Sequence, residues 1–250
     1  MPDHRTTLSR TRAGLAALAE AEASYLGSNP FRLVHQHDMR TGRYVVRVET
    51  AHAIPDELTA LLAAVLADAR LTLDELAREL TSDPESRIRF PIHETLHAFA
   101  QRSRKPLSRM SDEAQATIEE LQPYHAIGGF SRDSLWLLDA LLSERGARLA
   151  AGAVTGGEPL GVNSCRKIVI SGDLEPVRGP FESRAVIAAA ETKIVGPDPK
   201  IDLFLRPVFA LAFSAKGPAR GGLVGDTIEG IVERVTACVA SLGGEVPIAR

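Results

Sequence analysis

Between Arg87 and Arg109 the chain concentrates residues able to do chemistry. His93-Glu94-Thr95-Leu96-His97 has the H-E-x-x-H spacing. On a helix, histidines at i and i+4 share a face and can hold one zinc ion, with the intervening glutamate placed to activate a bound water. Glu119 or Glu120 lies far enough downstream to supply a third ligand. Pro91 weighs against this reading, because it puts His93 in an opening turn, whereas such a site needs helix on both sides for rigidity. The same stretch holds six cations, Arg87, Arg89, Arg102, Arg104, Lys105 and Arg109, against one acid, Glu94. A segment of that kind can track phosphates, although charge runs are more often solvated faces. Arg102, Arg104 and Lys105 are the candidate nucleic-acid ligands; His93 and His97 are zinc ligands only under the alternative, and the preferred expectation is no cofactor.

The element that must position these groups is the helix expected from Pro55 to Leu80. Leu58, Leu61, Leu62, Val65, Leu66, Ala69, Leu73, Leu76, Ala77 and Leu80 fall on one arc roughly 160° wide, so nearly half its girth must be buried. Pro55, Asp56 and Glu57 suit its first turn, and Thr81-Ser82-Asp83-Pro84 ends it. Arg70 lies at one edge of the arc; Asp68, Glu75 and Glu79 lie towards the other. The bland reading of Arg70 is an i,i+4 pair with Asp74 at the rim of the packed face.

Several landmarks carry a resemblance: Arg43 to Thr50 (RYVVRVET), the R-x4-E spacing of Arg70 and Glu75, Phe90-Pro91-Ile92, IEELQPYH ending at His125, and LWLLDALL from Leu135 to Leu142. In this order they resemble a widespread family of uncharacterised bacterial and phage proteins, over about residues 30 to 150. Members carry N-L-R-S-A-L-D-H on this helix, which is similar to the R-x4-6-H signature of HEPN domains, helical bundles that often dimerise and cut RNA. Arg70 and Asp74 match that pattern, while Asp68 and Glu75 stand where Asn and His are expected. After the Leu-Trp-Leu-Leu run, Arg145, Gly146 and Ala147 replace the family's Asp, Lys and His. The resemblance therefore implies a kept scaffold with a degenerate polar centre, since a glutamate replaces an imidazole as proton carrier near neutral pH only when strongly perturbed.

A chain of 250 residues with 44% apolar content can bury one substantial core, and a formal net charge of −3 excludes a generally basic nucleic-acid binder. Cys165 and Cys238 have no metal or C-x-x-C spacing, which suits a reducing compartment and two inert thiols. No window approaches a membrane span, and the charged amino terminus is not a secretory signal. A cytoplasmic location is expected. Gly156 to Gly161 (GGEPLG) lacks the Lys-Ser or Lys-Thr of a phosphate loop. His125 and Trp136 suit capping and core roles, and no nucleophile is assignable at Ser164 or Cys165.

Around the central helix the pattern predicts a helix over Thr7–Tyr25, a β-hairpin from Phe31–Gln36 and Arg43–Thr50, and helices from about Phe90 to Gln101, Ser111 to Leu121 and Ser131 to Leu149. Ala150–Ser164 is small-residue rich and predicts a loop or lobe boundary at 150–164. Arg166–Ser171, Arg184–Val195 and Asp202–Phe213 predict strands, and Gly221–Leu242 a closing helix that returns to the bundle.

The expected fold is thus one α+β domain over residues 1–250, a HEPN-like helical bundle with an N-terminal hairpin packed on it and a C-terminal antiparallel sheet region plus final helix. The expected protein is a cytoplasmic, homodimeric interaction or regulatory protein, with RNA as its candidate partner and no membrane. The rivals are a metal-independent ribonuclease using Arg70, Asp74 and Glu75, or a zinc hydrolase using His93, Glu94 and His97.

Overall fold

The computed structural model describes residues 3–81, 87–143, 149, 152–172 and 176–243. The calls at Ser82 to Pro84, and at Arg145, Gly146 and Ala147, lie outside them. Helix α1 (His4–Gly27) begins where the Asp3 carboxylate accepts the Thr6 N–H at 2.7 Å, and it lies along α2 (Asp56–Glu79). Helix α2 buries the predicted arc. Leu58, Leu62, Leu66, Leu73 and Leu76 are each 1% exposed or less, and burial of each contributes roughly 1.5–3 kcal/mol.

The bundle is completed by α3 (Leu96–Arg102), α4 (Arg104–Leu107), α5 (Asp112–Glu120), α6 (Ser134–Leu142) and α7 (Val224–Gly243). Helix α7 returns as expected, packing on α1, α2, α5 and α6. No helix among the described residues is long and apolar enough to cross a membrane.

Two antiparallel sheets make the second part of the molecule. One has the order β1 (Phe31–Asp38), β2 (Arg43–Thr50), β6 (Val186–Ile194), β4 (Ile168–Ser171); the other has the order β5 (Gly179–Phe181), β3 (Gly152–Arg166), β7 (Lys200–Ala210). The N-terminal hairpin is therefore not a separate flap on the bundle. Strand β2 pairs with β6, running from Arg43 opposite Glu191 to Arg47 opposite Val186, so the hairpin supplies half of a sheet completed by the C-terminal region. Tyr44, Val46, Val48, Val154, Leu160, Ile187, Leu203 and Leu205 form a core shared by the two sheets. Phe31 joins that core to the helical one, with its ring 6.3 Å from Tyr25 and 5.2 Å from Phe181.

Residues 152–164 correct an expectation. The small-residue stretch predicted as a loop is most of β3, a 15-residue strand whose register with β7 shifts at three places. Glycine here answers to packing: a Cβ at Gly161 would lie 2.3 Å from the Phe204 ring, and one at Gly157, where φ is +136°, would lie 2.5 Å from the Arg206 carbonyl. Bulged strands admit such residues where a ring or backbone approaches closely.

Two helices are also shorter than expected. Helix α6 ends at Leu142, and the backbone of Ser143 is already extended. Helix α3 begins only at Leu96, because Thr95 is its cap, with φ −143° and its hydroxyl accepting the Ala98 N–H at 3.1 Å. Upstream of that cap, side chains from elsewhere take the backbone groups a helix would use. Asp74 Oδ1 accepts the Phe90 N–H at 3.0 Å, while Gln122 accepts the His93 N–H and donates to the Pro91 carbonyl, each at 3.0 Å.

Candidate anion-binding site

That stapled segment, 87–93, forms one wall of a pocket of about 750 Å³. The end of α3 and α4 form the opposite wall, Arg70 of α2 contributes to the lining from below, and Asp139 of α6 stands at one side. Helical periodicity puts Arg70 at the border of the buried arc of α2, and the FPI segment closes over it. Its guanidinium Nη2 donates to the Phe90 carbonyl at 2.8 Å and pairs with Asp74 Oδ1 at 3.2 Å. Nη1 lies 3.6 Å from Asp139 Oδ1. Arg70 is 9% exposed as a residue, yet its Nε and Nη1 are buried without a hydrogen-bond partner. Such donors are costly in a native interior, and each asks for an explanation.

The groups named from sequence do not all meet here. Asp74 is engaged structurally: one oxygen holds Arg70 and the Phe90 N–H, and the other accepts from Arg89 Nε at 3.1 Å. The pairing of Arg70 with Asp74 is present, as its i,i+4 spacing implies. Glu75 departs from the cluster. Five residues from Arg70, it sits about 140° round the helix, faces α1, and accepts the Thr7 hydroxyl at 2.6 Å. The combination of Arg70, Asp74 and Glu75 is therefore corrected: its third member is on the opposite side of α2.

His93 lines the pocket, and its Nε2 is 2.7 Å from the buried Ser103 hydroxyl. Burial pushes this imidazole below its ordinary 6.5, the Arg102 charge adds to that, and Asp139 opposes it. His97 is exposed on α3, and Glu94 accepts the Trp136 Nε1–H at 2.8 Å. Because α3 starts after both His93 and Glu94, the H-E-x-x-H spacing does not place its two imidazoles on one helical face. Among the described residues no group of three or more His, Cys, Asp or Glu is arranged to hold a metal ion.

Of the nucleic-acid candidates, Arg102 and Lys105 line the pocket, whereas Arg104 does not. Arg87, Arg89 and Arg109 line it too, and Asp139 is the one acid among the described lining residues. The result is a concave surface with a large positive excess around a buried guanidinium, which can hold a multiply charged anion. Asp139, Ser103 and Gln122 were not singled out from the sequence. The only signal for them was position: Asp139 directly follows the Leu-Trp-Leu-Leu run, and Gln122 opens the Gln-Pro-Tyr landmark. Comparison with family models, curated proteins and solved structures finds no match.

Proposed function

We propose that this chain is an interaction or regulatory protein that holds RNA phosphates in the Arg70 pocket without cutting the strand. One observation carries the reading: an almost fully buried guanidinium with two nitrogens that have no hydrogen-bond partner, in the lining of a cationic cavity. RNA is favoured over a singly phosphorylated ligand because Arg87, Arg89, Arg102, Lys105 and Arg109 share the lining with Arg70, more positive charge than one phosphate balances. The HEPN-like reading is supported by the way its landmarks converge. Arg70 and Asp74 bind the FPI segment, the Gln of QPY staples it, and the residue after LWLL faces Arg70. A degenerate centre is supported by Glu75 facing away. The same resemblance implies a homodimer, which sedimentation of the purified chain tests, and the cytoplasmic location rests on the cysteine usage and charged amino terminus read from the sequence.

The test is anisotropy of labelled single-stranded RNA over a salt series. Binding should weaken as salt rises, with a log–log slope of about 0.7 per phosphate engaged. A variant carrying Arg102→Glu and Lys105→Glu should lose binding, while Arg104→Glu, outside the lining, should keep most of it. Equal loss in both variants would mean that charge on this face matters and the pocket does not.

A cutting function is the second reading, favoured by the presence of His93 in the same pocket with its neutral form stabilised by burial. It requires cleavage of labelled RNA in the presence of EDTA, abolished by His93→Gln.

A further inference from the structure

Asp139 is at odds with the rest of the pocket. It is the one acid among the described lining residues, and its side chain is 60% exposed. At 3.6 Å from Arg70 Nη1 it is too far to accept a hydrogen bond. The arginine it faces is sealed: Nε and Nη1 make no contact with solvent, so a ligand meets them only after a lining group moves.

Resting on the RNA-binding reading above, we infer that Asp139 occupies the place of a strand-terminal phosphate, and that the protein takes RNA by a phosphorylated end. Three observations lead there. The first is depth. An internal phosphodiester has a nucleotide on either side, and reaching the guanidinium of a side chain only 11% exposed would draw both into the pocket. A terminal phosphate has nothing beyond it, offers three free oxygens, and carries between one and two negative charges near neutral pH.

The second is the lining. Binding along a strand normally relies on aromatic faces that stack bases. Apart from the His93 ring, the aromatic residue lining this pocket is Phe90, which is 0% exposed and offers no face. The third is the exchange itself. A carboxylate more than half in water, held by charge alone, loses little on turning outward. A phosphate in its place can come close enough to accept a charge-assisted hydrogen bond from Nη1, which now lacks a partner. Behind the end, the strand passes Arg102 and Lys105.

The experiment uses the full chain and one RNA sequence in three forms: 5′-phosphorylated, 3′-phosphorylated, and hydroxyl at both ends, with an internal fluorophore. Anisotropy should show one phosphorylated form binding about tenfold more tightly than the hydroxyl form, a difference of about 1.4 kcal/mol. Preference for either phosphorylated end supports the inference. In Asp139→Asn, an isosteric change at an exposed side chain, the ratio of phosphorylated to hydroxyl affinity should widen about threefold. Equal binding of all three forms overturns the inference and leaves RNA binding standing. Binding of none overturns both. A ratio that stays or narrows in Asp139→Asn removes Asp139 from the account, provided its thermal melt matches wild type.

Discussion

Two faces of α2 carry charge into the interior, and they are finished differently. Towards α1, a polar seam is closed by specific partners: Arg10 binds both oxygens of Asp68 at 2.7 and 2.6 Å, Thr7 donates to Glu75, and the His4 ring meets Glu79 at 2.6 Å. In that seam His4 Nε2 is the one buried side-chain atom left without a partner among the described residues. On the opposite face Arg70 leaves two of its three nitrogens without a hydrogen-bond partner and borders a cavity. Burial of charge alone therefore does not mark a site. The seam uses its donors and acceptors to fix one helix against another, whereas the pocket keeps donors in reserve.

The largest expected effect that tests this contrast is at Asp74. Asp74→Ala removes the acceptor shared by Arg70, Arg89 and the Phe90 N–H, and should lower unfolding free energy by about 3 kcal/mol in urea titrations. Combined with Arg70→Met, the loss should be clearly less than the sum of the two single losses, because each single change strands the other member of the pair and the double change strands neither. Additive losses would show that the pair is not coupled. RNA binding should fall in every variant lacking Arg70.

Glu75→Gln sharpens the comparison from the other side. It keeps the shape of the Thr7 contact and removes the charge, so we expect a stability loss of about 1 kcal/mol with RNA affinity unchanged. Reduced affinity in a folded Glu75→Gln protein would return this residue to the site.

The smallest effect is a pH dependence at His93. Its imidazole sits below 6.5 when folded, so the unfolded chain binds the proton more readily. The stability tied to this group is complete above about pH 6.5 and declines as pH falls towards its folded value. His93→Gln should flatten that part of the stability profile. An unchanged slope would assign the titration elsewhere.

Much of the helical part was legible because apolar period is a local property. The arc of α2, the two strands of the hairpin and the apolar face of α7 all follow from side chains a few residues apart. Strand β3 was not legible, since Gly156, Gly157, Pro159 and Gly161 read as a turn, and only the fold shows that the Phe204 ring at Gly161 and the β7 backbone at Gly157 need the room. The H-E-x-x-H spacing misled for a related reason. It presumes a helix through His93, and the hydrogen bonds that prevent one come from Asp74 and Gln122, far away in the chain.

The sequence by itself determined that one leucine-rich helix would be buried, that Arg70 would lie at its border paired with Asp74, and that positive charge would gather between residues 87 and 109. Only the tertiary structure decided which cations share a cavity, that Glu75 serves the α1 seam, and that Asp139 stands beside Arg70. Helical period assigns each side chain a direction from its own helix, but the group it meets is supplied by whichever distant segment packs there.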